Sequence, residues 1–510
     1  MVLLHSDERP AAAAIGQLAF CNPFLTERIE LERTALGPAF VDLGSVWHRS
    51  EAFEPPNTNV VRLAERAKAL AEEARRRLLA GASPEGEDLD LYRDLVFYRL
   101  YQKYERHLLD LAQGDPVQRV HFADEFQRDL GHFLALPQVP SSHRLDPSHL
   151  LALSFQVRRA FDRCFHDILG GSMPAARLRA TVWQSIFTHD MRRYARTLFG
   201  RMGEIATLVT GPSGTGKELV AKAIGLCRYI PFDPATLRFE VRPRDTFHAV
   251  NLTALSPALV ESELFGHRKG TFTGAVADRE GWLEQCLPCG TLFLDEIGEV
   301  DLSIQVKLLR VLQTRAFQRI GETRDRRFLG KVVAATNRDL RAELERGAFR
   351  EDLYYRLCSD QVETPSLAEQ LRDAGDELAR LVGLLAEKLA GPEEAERLTE
   401  ETLDWIHRGL PADYAWPGNV RELEQCVRNV LVRGEYRPSG RPRGAEQSLG
   451  DDFVGGRTDA DTMLARYCTL VYAQTGSYVE AARRLGLDRR TVKARVDEGL
   501  LERLRSRQGS

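Results

Sequence analysis

Cysteine is scarce in the sequence, with eight residues in 510, which excludes the dense disulfide framework of small secreted domains. No uninterrupted apolar run reaches the roughly 18 residues that a membrane span needs. The first ten residues place charges where a secretory leader would have its apolar segment. The remaining composition, 43% hydrophobic and 28% charged with a formal net charge of -4, is that of a globular protein of two to four domains. We therefore expect a cytoplasmic protein with no membrane partner.

One pair of cysteines, Cys286 and Cys289, has the spacing of a redox or zinc motif. A zinc site would need a second pair or histidines at ligand spacing, and none follows. A redox role is the alternative to a plain turn that leads into a buried strand. The sequence favours the turn.

The texture of the chain changes twice and predicts a multidomain protein of α/β and all-α parts. The first third carries amphipathic helical patterns, the middle alternates short apolar runs with helices, and a Pro/Gly-rich stretch precedes a last helical segment. Unalternated apolar runs suit the buried strands of a parallel sheet. The predicted domains are a mainly helical N-terminal regulatory domain (1–166), an α/β domain (167–365), a helical subdomain (366–434), a linker (435–458) and a C-terminal helical domain (459–510).

A glycine-rich loop between a predicted strand and a predicted helix carries the strongest chemical signal. Its glycines let successive backbone N–H groups point at one phosphate, and the helix that follows adds its dipole. The lysine supplies a positive charge for the β- and γ-phosphates of ATP. A glutamate stands where a hydroxyl ligand for Mg²⁺ is usual. The predicted phosphate-binding residues are Gly211, Pro212, Ser213, Gly214, Thr215, Gly216, Lys217 and Glu218.

Two acids end a second apolar run, Thr291 to Leu294. Asp295 is predicted to hold Mg²⁺, through water, at the carboxyl end of this strand, where open α/β sheets bind ligands. Glu296 would polarise the attacking water. The alternative is that the two acids merely cap the strand. Their spacing along the chain from the phosphate loop disfavours this alternative.

Residues from about 168 to 432 resemble the AAA+ domain of bacterial sigma-54-dependent transcription activators. The segments that carry the resemblance are the phosphate loop with its Glu218, Glu261 to His267 with Gly270 to Ala275, Ala334 to Asn337, Phe349 to Arg356, and Trp416 to Leu423. The resemblance implies an AAA+ phosphate-loop α/β domain with a helical lid that hydrolyses ATP with Mg²⁺ in a hexameric or similar ring.

The same resemblance assigns further roles to single residues. Asn337 would read the γ-phosphate, Arg350 and Arg356 would reach the ATP of a neighbouring subunit, and Arg421 would act from the lid. Asn251 matches the family position said to pair with the glutamate that corresponds to Glu296 and to couple hydrolysis to loop movement. An ordinary surface ion pair is the alternative for any one arginine.

A loop bracketed by glycines is predicted to contact sigma-54. From the residues alone, an exposed aromatic anchor and an inward-packed phenylalanine are equally supported, and the resemblance favours the anchor. Thr271 replaces the usual alanine of the family, and the segment Thr364 to Gln370 lacks the arginine that the family has there. The predicted contact residues are Gly270, Thr271, Phe272, Thr273, Gly274 and Ala275.

The C-terminal end of the chain is basic, with nine arginine or lysine residues against five acids from Glu480 onward. Two helical patterns separated by Gly486 resemble the Fis-type helix-turn-helix found at the end of these activators. Such modules bind double-stranded DNA as dimers, and a charged helical hairpin without a DNA role is the alternative. The predicted DNA-binding residues are Arg489, Arg490, Thr491, Lys493 and Arg495.

Taken together, the sequence predicts an activator that binds an upstream site on DNA and uses ATP hydrolysis to remodel sigma-54 RNA polymerase holoenzyme. Two alternatives are an AAA+ remodeller of another class and a DNA-binding repressor that nucleotide merely switches. Residues 1–166 carry no motif that identifies the signal they receive.

Overall fold

The computed structural model of the protein describes residues 2–42, 57–82, 84, 86–114, 118–254, 256–272, 275–438, 459–497 and 500–501. The chain divides into two compact units, Met1–Gly434 and Glu435–Ser510. In the part of the chain so described, no helix is both long and apolar enough to cross a membrane.

The first unit begins with helices packed around one core, as the sequence predicts. Asp146 begins one of them by accepting hydrogen bonds from the backbone amides of Ser148 and His149, and Pro147 occupies the first helical position. The helices are α1 (Arg9–Leu18), α2 (Glu27–Leu36), α3 (Thr58–Leu79), α4 (Gly86–Gln113), α5 (Ala123–Leu134), α6 (Pro147–Asp167), α7 (Met173–Phe187) and α8 (Met191–Arg193).

A five-stranded sheet in which every pair is parallel forms the centre of the unit, and the predicted parallel sheet is confirmed. The chain has eleven strands within the described residues: β1 (Thr207–Thr210), β2 (Phe232–Asp233), β3 (Arg238–Phe239), β4 (Phe247–Asn251), β5 (Gly266–His267), β6 (Arg279–Glu280), β7 (Thr291–Asp295), β8 (Ala316–Phe317), β9 (Arg326–Arg327), β10 (Lys331–Thr336) and β11 (Asp360–Glu363). The order across the large sheet is β11-β1-β10-β7-β4. The other strands form three hairpins, β2 with β3, β5 with β6 and β8 with β9.

One strand of the large sheet, β11, was not predicted. Its sequence is Asp-Gln-Val-Glu, and Val362 alone among the four is buried. A single apolar residue gives no run to recognise. The strand forms because it pairs along its whole length with β1.

Helices connect the strands and then form the predicted helical segment after β11. Those between strands are α9 (Lys217–Leu226), α10 (Pro257–Phe265), α11 (Trp282–Gln285), α12 (Leu302–Thr314), α13 (Leu340–Glu345) and α14 (Glu351–Leu357). Those after β11 are α15 (Leu367–Asp373), α16 (Glu377–Ala390), α17 (Pro392–Gly409) and α18 (Asn419–Arg433), and we call these four the lid.

The N-terminal helices and one face of the large sheet share a single hydrophobic core. Phe155 of α6, Ile224 of α9, and Val209, Val333 and Val362 of the sheet all belong to the same buried cluster. The N-terminal helices therefore cover apolar surface of the α/β part.

The second unit contains α19 (Ala460–Thr475), α20 (Tyr478–Leu485) and α21 (Arg489–Arg495). Gly486 lies between the last two with φ +64°, the left-handed conformation that ends a helix well. The two helices and the glycine turn are as predicted. The predicted linker falls mostly on residues 439–458, which lie outside the described residues.

Candidate nucleotide-binding site

The carboxyl ends of the parallel strands bring most of the predicted site residues to one edge of the sheet. β1 ends at Thr210, directly before the phosphate loop, and β7 ends at Asp295. β10 ends at Thr336, directly before Asn337, and β4 ends at Asn251, whose register partner is Asp295. Since all these strands run the same way, the residues that follow them meet at the same edge.

The phosphate loop has the backbone that only glycine adopts readily. Gly211, Gly214 and Gly216 have φ values of +138°, +79° and +91°. A Cβ at Gly214 would collide with the carbonyl oxygen of Gly418 in the lid. Glycine is required here both for the turn and for the close approach of the lid.

Lys217 begins α9 and is buried under the loop. Its Nζ donates hydrogen bonds to the carbonyl oxygens of Gly211 and Pro212, each at 3.0 Å. Burial lowers the pKa of Lys217, and the charges of Glu296 and Asp295 oppose that shift. The ammonium group is therefore bonded to the loop and feels the charge of the two acids.

The two acids differ in environment. Burial, followed by the charge of Glu296, raises the pKa of Asp295. Glu296 adopts φ +57°, an uncommon conformation for a residue other than glycine and one that is enriched at functional sites. Its Oε2 accepts a hydrogen bond from the backbone amide of Asn337 at 3.4 Å. The contact joins the residues that directly follow β7 and β10 at this edge of the sheet.

The predicted partner of Glu296, Asn251, has other contacts. Its Oδ1 accepts hydrogen bonds from Thr253, through N at 2.9 Å and Oγ1 at 2.8 Å, and from the Ala254 amide at 3.2 Å. The pairing of Asn251 with Glu296 stays a prediction. Glu218, the unusual residue after the lysine, pairs with Lys222 one turn along α9 at 2.8 Å.

The lid contacts the phosphate loop at Ser213 and Gly214. Arg421 donates from Nη1 to Ser213 Oγ and from its backbone amide to the Gly214 oxygen, both at 3.2 Å. Asn419 donates from Nδ2 to the Ser213 oxygen at 2.9 Å and accepts from the Leu367 amide at 2.9 Å. Arg421 was predicted from its place in the lid motif.

Asn419 and Thr364 are site residues for which the sequence assigned no role. Thr364 follows β11, and its Oγ1 lies 2.6 Å from Thr215 Oγ1 in the phosphate loop. Asn419 lies inside the predicted lid motif and has a φ of +53°. Asparagine tolerates this left-handed conformation, so the residue type was the signal that the motif offered. Gln370, the last residue of the segment Thr364 to Gln370, is buried, and within the described residues its Oε1 has no hydrogen-bond partner.

Arg350 and Arg356, the two arginines predicted to reach the ATP of a neighbouring subunit, lie at α14. Among the described residues, neither forms a hydrogen bond with the phosphate loop of its own chain. Arg350 pairs with Asp352 through Nε at 3.0 Å and Nη2 at 2.7 Å. Arg356 is exposed, and among the described residues it forms no ion pair. Of these two arginines, Arg356 is the one whose guanidinium can meet another molecule without first leaving an ion pair.

The predicted sigma-54 loop lies between β5 and β6 and is described up to Phe272 and again from Ala275. Gly270 N donates to the Ala275 oxygen at 2.8 Å and closes the loop. Phe272 is 39% exposed, and its ring centroid lies 4.9 Å from that of His267. The ring is therefore partly covered and partly exposed, and its contact with sigma-54 stays a prediction. Thr273 and Gly274 lie outside the described residues.

In the second unit, Arg489, Arg490 and Lys493 are exposed and Thr491 is half-buried. Arg495 pairs with Asp461 of α19 at 2.8 Å. The Cys286–Cys289 segment, which the sequence assigned to a turn, does form one: Gly290 N donates to the Leu287 oxygen at 2.8 Å before β7 begins, and both cysteines are free thiols.

No group of three metal-ligating side chains occurs among the residues that the structure describes. Mg²⁺ bound with a nucleotide needs only one or two carboxylates, because phosphates and water complete its shell. The half-buried carboxylate of Asp295, beside the phosphate loop, is a donor that fits this role.

These features define a phosphate-loop ATPase domain of the AAA+ class. Residues 186–363, which run from the end of α7 to the end of β11, match the sigma-54 interaction domain family.

Two curated relatives agree with this assignment. The chain is 43% identical over 245 residues to the Nif-specific regulatory protein of Azotobacter vinelandii. The aligned residues make up 47% of this chain and 43% of the relative. It is 37% identical over 305 residues to the transcriptional regulatory protein ZraR of Klebsiella oxytoca, covering 58% and 63%. The chain therefore spans 43% and 63% of the length of these two relatives.

A solved structure, NtrX from Brucella abortus in complex with ATP, aligns over 69% of this chain and 76% of its own with a TM-score of 0.38 and 22% identity. So low a score adds nothing to the assignment.

Proposed function

We propose that the protein is a sigma-54-dependent transcription activator. It hydrolyses ATP in an oligomeric ring, remodels sigma-54 RNA polymerase holoenzyme so that the promoter opens, and binds double-stranded DNA upstream of the promoter. It acts in the cytoplasm.

The observation that carries this proposal is the meeting of Lys217, Asp295 and Glu296 at one sheet edge, within a segment of the sigma-54 interaction domain family. The meeting of the three side chains supports ATP hydrolysis, and the family match supports sigma-54 as the target. The names of the two relatives, both regulatory proteins, point the same way.

The chemistry follows from the positions of the side chains. On nucleotide binding, Lys217 would exchange its two carbonyl partners for the β- and γ-phosphates. Mg²⁺ held near Asp295 would neutralise phosphate charge. Glu296 would orient the attacking water, and its contact with the Asn337 amide would let both residues respond to the γ-phosphate.

Ring assembly completes the site in this proposal. Arg356, or Arg350 after release from Asp352, would enter the site of the next subunit and stabilise charge on the leaving phosphate. Phe272 and its neighbours would contact sigma-54, and the exposed arginines and lysine of α21 would contact DNA. Asn251 would couple Glu296 to the loop.

The domain division 1–166, 167–365, 366–434, 435–458 and 459–510 also belongs to this proposal, with the first domain as the regulatory one. The shared core of Met1–Gly434 changes how that domain can be tested. Deleting residues 1–166 would expose buried apolar surface on α9 and the sheet, so a deletion would confuse loss of regulation with loss of folding.

Point variants of the full chain give a cleaner experiment. ATP turnover and promoter opening by sigma-54 holoenzyme should be measured for the parent, Glu296→Gln, Phe272→Ala, Thr273→Ala and Arg177→Gln. Arg177, exposed on α7, serves as the control. We expect Glu296→Gln to abolish both activities, the two loop variants to keep ATP turnover and lose promoter opening, and the control to keep both.

Other results identify the alternatives. ATP turnover without promoter opening in the parent would indicate an AAA+ remodeller of another class. DNA binding without turnover would indicate a nucleotide-switched repressor.

A further inference from the structure

The phosphate loop needs side-chain hydrogen bonds to keep its shape, because its local backbone does not dictate that shape. Thr215 lies between Gly214 and Gly216, which have φ values of +79° and +91°. Glycine passes readily between conformations, so it gives the loop freedom and no rigidity. To bind phosphate, however, the loop must hold its backbone N–H groups in fixed directions. The side chain of Thr215 is the local group that can fix this part of the loop.

Thr215 holds the loop through one backbone oxygen. Its Oγ1 donates a hydrogen bond to the Pro212 oxygen at 2.9 Å. Because a peptide unit is planar and trans, holding that oxygen also fixes the direction of the Ser213 N–H in the same peptide. Lys217 donates to the same oxygen at 3.0 Å. When Lys217 turns to the phosphates of a nucleotide, Thr215 remains as the donor that keeps this peptide in place.

Thr364 is the residue that can hold Thr215 in this position. It is 1% exposed and directly follows β11, and its amide donates to the Thr210 oxygen at 2.9 Å. Its Oγ1 lies 2.6 Å from Thr215 Oγ1. The loop passes so close that a Cβ at Gly211 would collide with Thr364. Since β11 pairs with β1 along its whole length, Thr364 is a fixed point beside a flexible loop.

The hydroxyl protons of the two threonines have one arrangement that keeps every acceptor bonded when a nucleotide is present. A hydroxyl has a single proton to donate. If Thr215 donates to Pro212, Thr364 must donate across the 2.6 Å contact. The Thr210 oxygen, 3.1 Å from Thr364 Oγ1, then keeps its bond from the Thr364 amide. The reverse arrangement would leave the Pro212 oxygen to Lys217, which the nucleotide draws away. Donation therefore runs from Thr364 to Thr215 to Pro212.

We propose that Thr364 is a positioning residue for nucleotide binding, which acts through Thr215 and the Pro212 oxygen on the N–H groups of the phosphate loop. The inference rests on the proposed function for ATP as the ligand, whereas promoter opening and DNA binding play no part in it. The N–H groups of such a loop cradle phosphates that ATP and ADP share. Loss of the Thr364 hydroxyl should therefore weaken both nucleotides alike and leave the chemical step unchanged.

Titration calorimetry of the full chain with ADP and with the non-hydrolysable ATP analogue AMP-PNP tests the proposal. Thr364→Val keeps the shape of the side chain and removes the hydroxyl, and Thr364→Ser keeps the hydroxyl. We expect the Kd for both nucleotides to rise about fivefold in Thr364→Val, as for the loss of one neutral hydrogen bond, and to stay near the parent value in Thr364→Ser.

Steady-state ATP turnover separates positioning from a loss of folded protein. Thr364→Val should raise KM by the same factor as the Kd, with little change in kcat. A purely structural role would do the reverse, because a smaller folded fraction lowers kcat and leaves KM and the Kd unchanged. That result would overturn the proposal.

Thr246→Val is the matched control. The Thr246 hydroxyl is equally buried and donates to the Pro243 oxygen at 2.6 Å. Thr246 directly precedes β4, whose other end, Asn251, lies at the edge of the phosphate loop. This variant should therefore bind both nucleotides as the parent does, and a fivefold loss in it would contradict the assignment to Thr364.

A double-mutant cycle with Thr215→Val tests whether Thr364 acts through Thr215. If it does, Thr364→Val adds little to the loss that Thr215→Val already causes, and fully additive losses would overturn this route. Equal affinity of Thr364→Val and the parent would overturn the proposal, as would a loss in Thr364→Ser as large as that in Thr364→Val. No binding of either nucleotide by the parent would overturn the proposed function and this inference together.

Discussion

The carboxylate of Glu377, fully buried in the lid, accepts hydrogen bonds from the backbone amide of Gly171 at 2.9 Å and 3.0 Å. The same carboxylate accepts from the Ser172 amide at 3.2 Å. Gly171 and Ser172 directly precede α7. A residue of the lid thus satisfies the free amides at the start of a helix outside it.

Replacing Glu377 tests how strongly this contact holds the lid. Glu377→Gln would place an N–H₂ group against a backbone donor, and we expect a loss of about 2 kcal/mol of stability. Glu377→Ala should lose more, because buried amides are then left without any acceptor. The midpoint of denaturant unfolding of the full chain measures both. Glu387→Gln, exposed on the same helix, should leave the midpoint unchanged, and a similar shift in that control would contradict the assignment.

Asn419 should control nucleotide affinity although it carries no charge. It bridges the phosphate loop and the lid by its bonds to Ser213 and Leu367. Asn419→Asp keeps the acceptor for Leu367 and loses the donor to Ser213. We expect the Kd for ATP to rise about tenfold, corresponding to about 1.4 kcal/mol. Equal ATP affinity in the variant and the parent would show that this bridge does not shape the site.

The sequence predicted the strands that carry short, unbroken apolar runs and the residues at their ends, because burial on both faces leaves a readable pattern. It failed at β11, where pairing with β1 supplies what the pattern of Asp360 to Glu363 lacks. It also assigned no role to Thr364, since a threonine after a strand has no distinctive neighbours in the chain. Its contact with Thr215 exists only because β11 lies beside β1.

The N-terminal third shows a second limit of sequence patterns. Helical periodicity predicted that this part of the chain is mainly helical, as α1 to α8 are. It could not reveal that Phe155 packs into the same core as Val209 and Val333, because periodicity identifies a buried face and not what covers it. The buried bonds of Arg159 to the end of α9 were equally out of reach, since an arginine on a helix usually faces solvent.

Arg356 should act on the site of a neighbouring subunit. It is exposed and, among the described residues, unpaired, whereas Arg350 is bonded to Asp352. We expect Arg356→Ala to lower ATP turnover by roughly a thousandfold while ATP binding is kept. The control is Arg346→Ala, an exposed arginine paired with Glu343 in the preceding segment.

Mixing two inactive variants tests action between subunits directly. Arg356→Ala subunits have an intact Glu296, and Glu296→Gln subunits have an intact Arg356. If the arginine acts across the interface, mixed assemblies contain some complete sites and regain turnover. No recovery at any mixing ratio would place the role of Arg356 within its own subunit.

Lys331 gives the chain a pH-dependent stability that a single substitution can isolate. Its side chain is buried in β10 and donates to the Ile205 oxygen at 2.7 Å, and burial lowers its pKa from 10.5 to about 8. Below pH 8 the lysine is charged in both states, and the folded state bears the full cost of burying the charge. Between pH 8 and 10.5 the folded protein has lost a proton that the unfolded chain retains, so stability rises with pH.

Relative to Lys331→Met, the parent should gain about 3 kcal/mol over this interval, because other titrating groups cancel in the comparison. Unfolding midpoints of the two proteins at matched pH values measure the gain, and parallel curves would show that Lys331 does not titrate in this range.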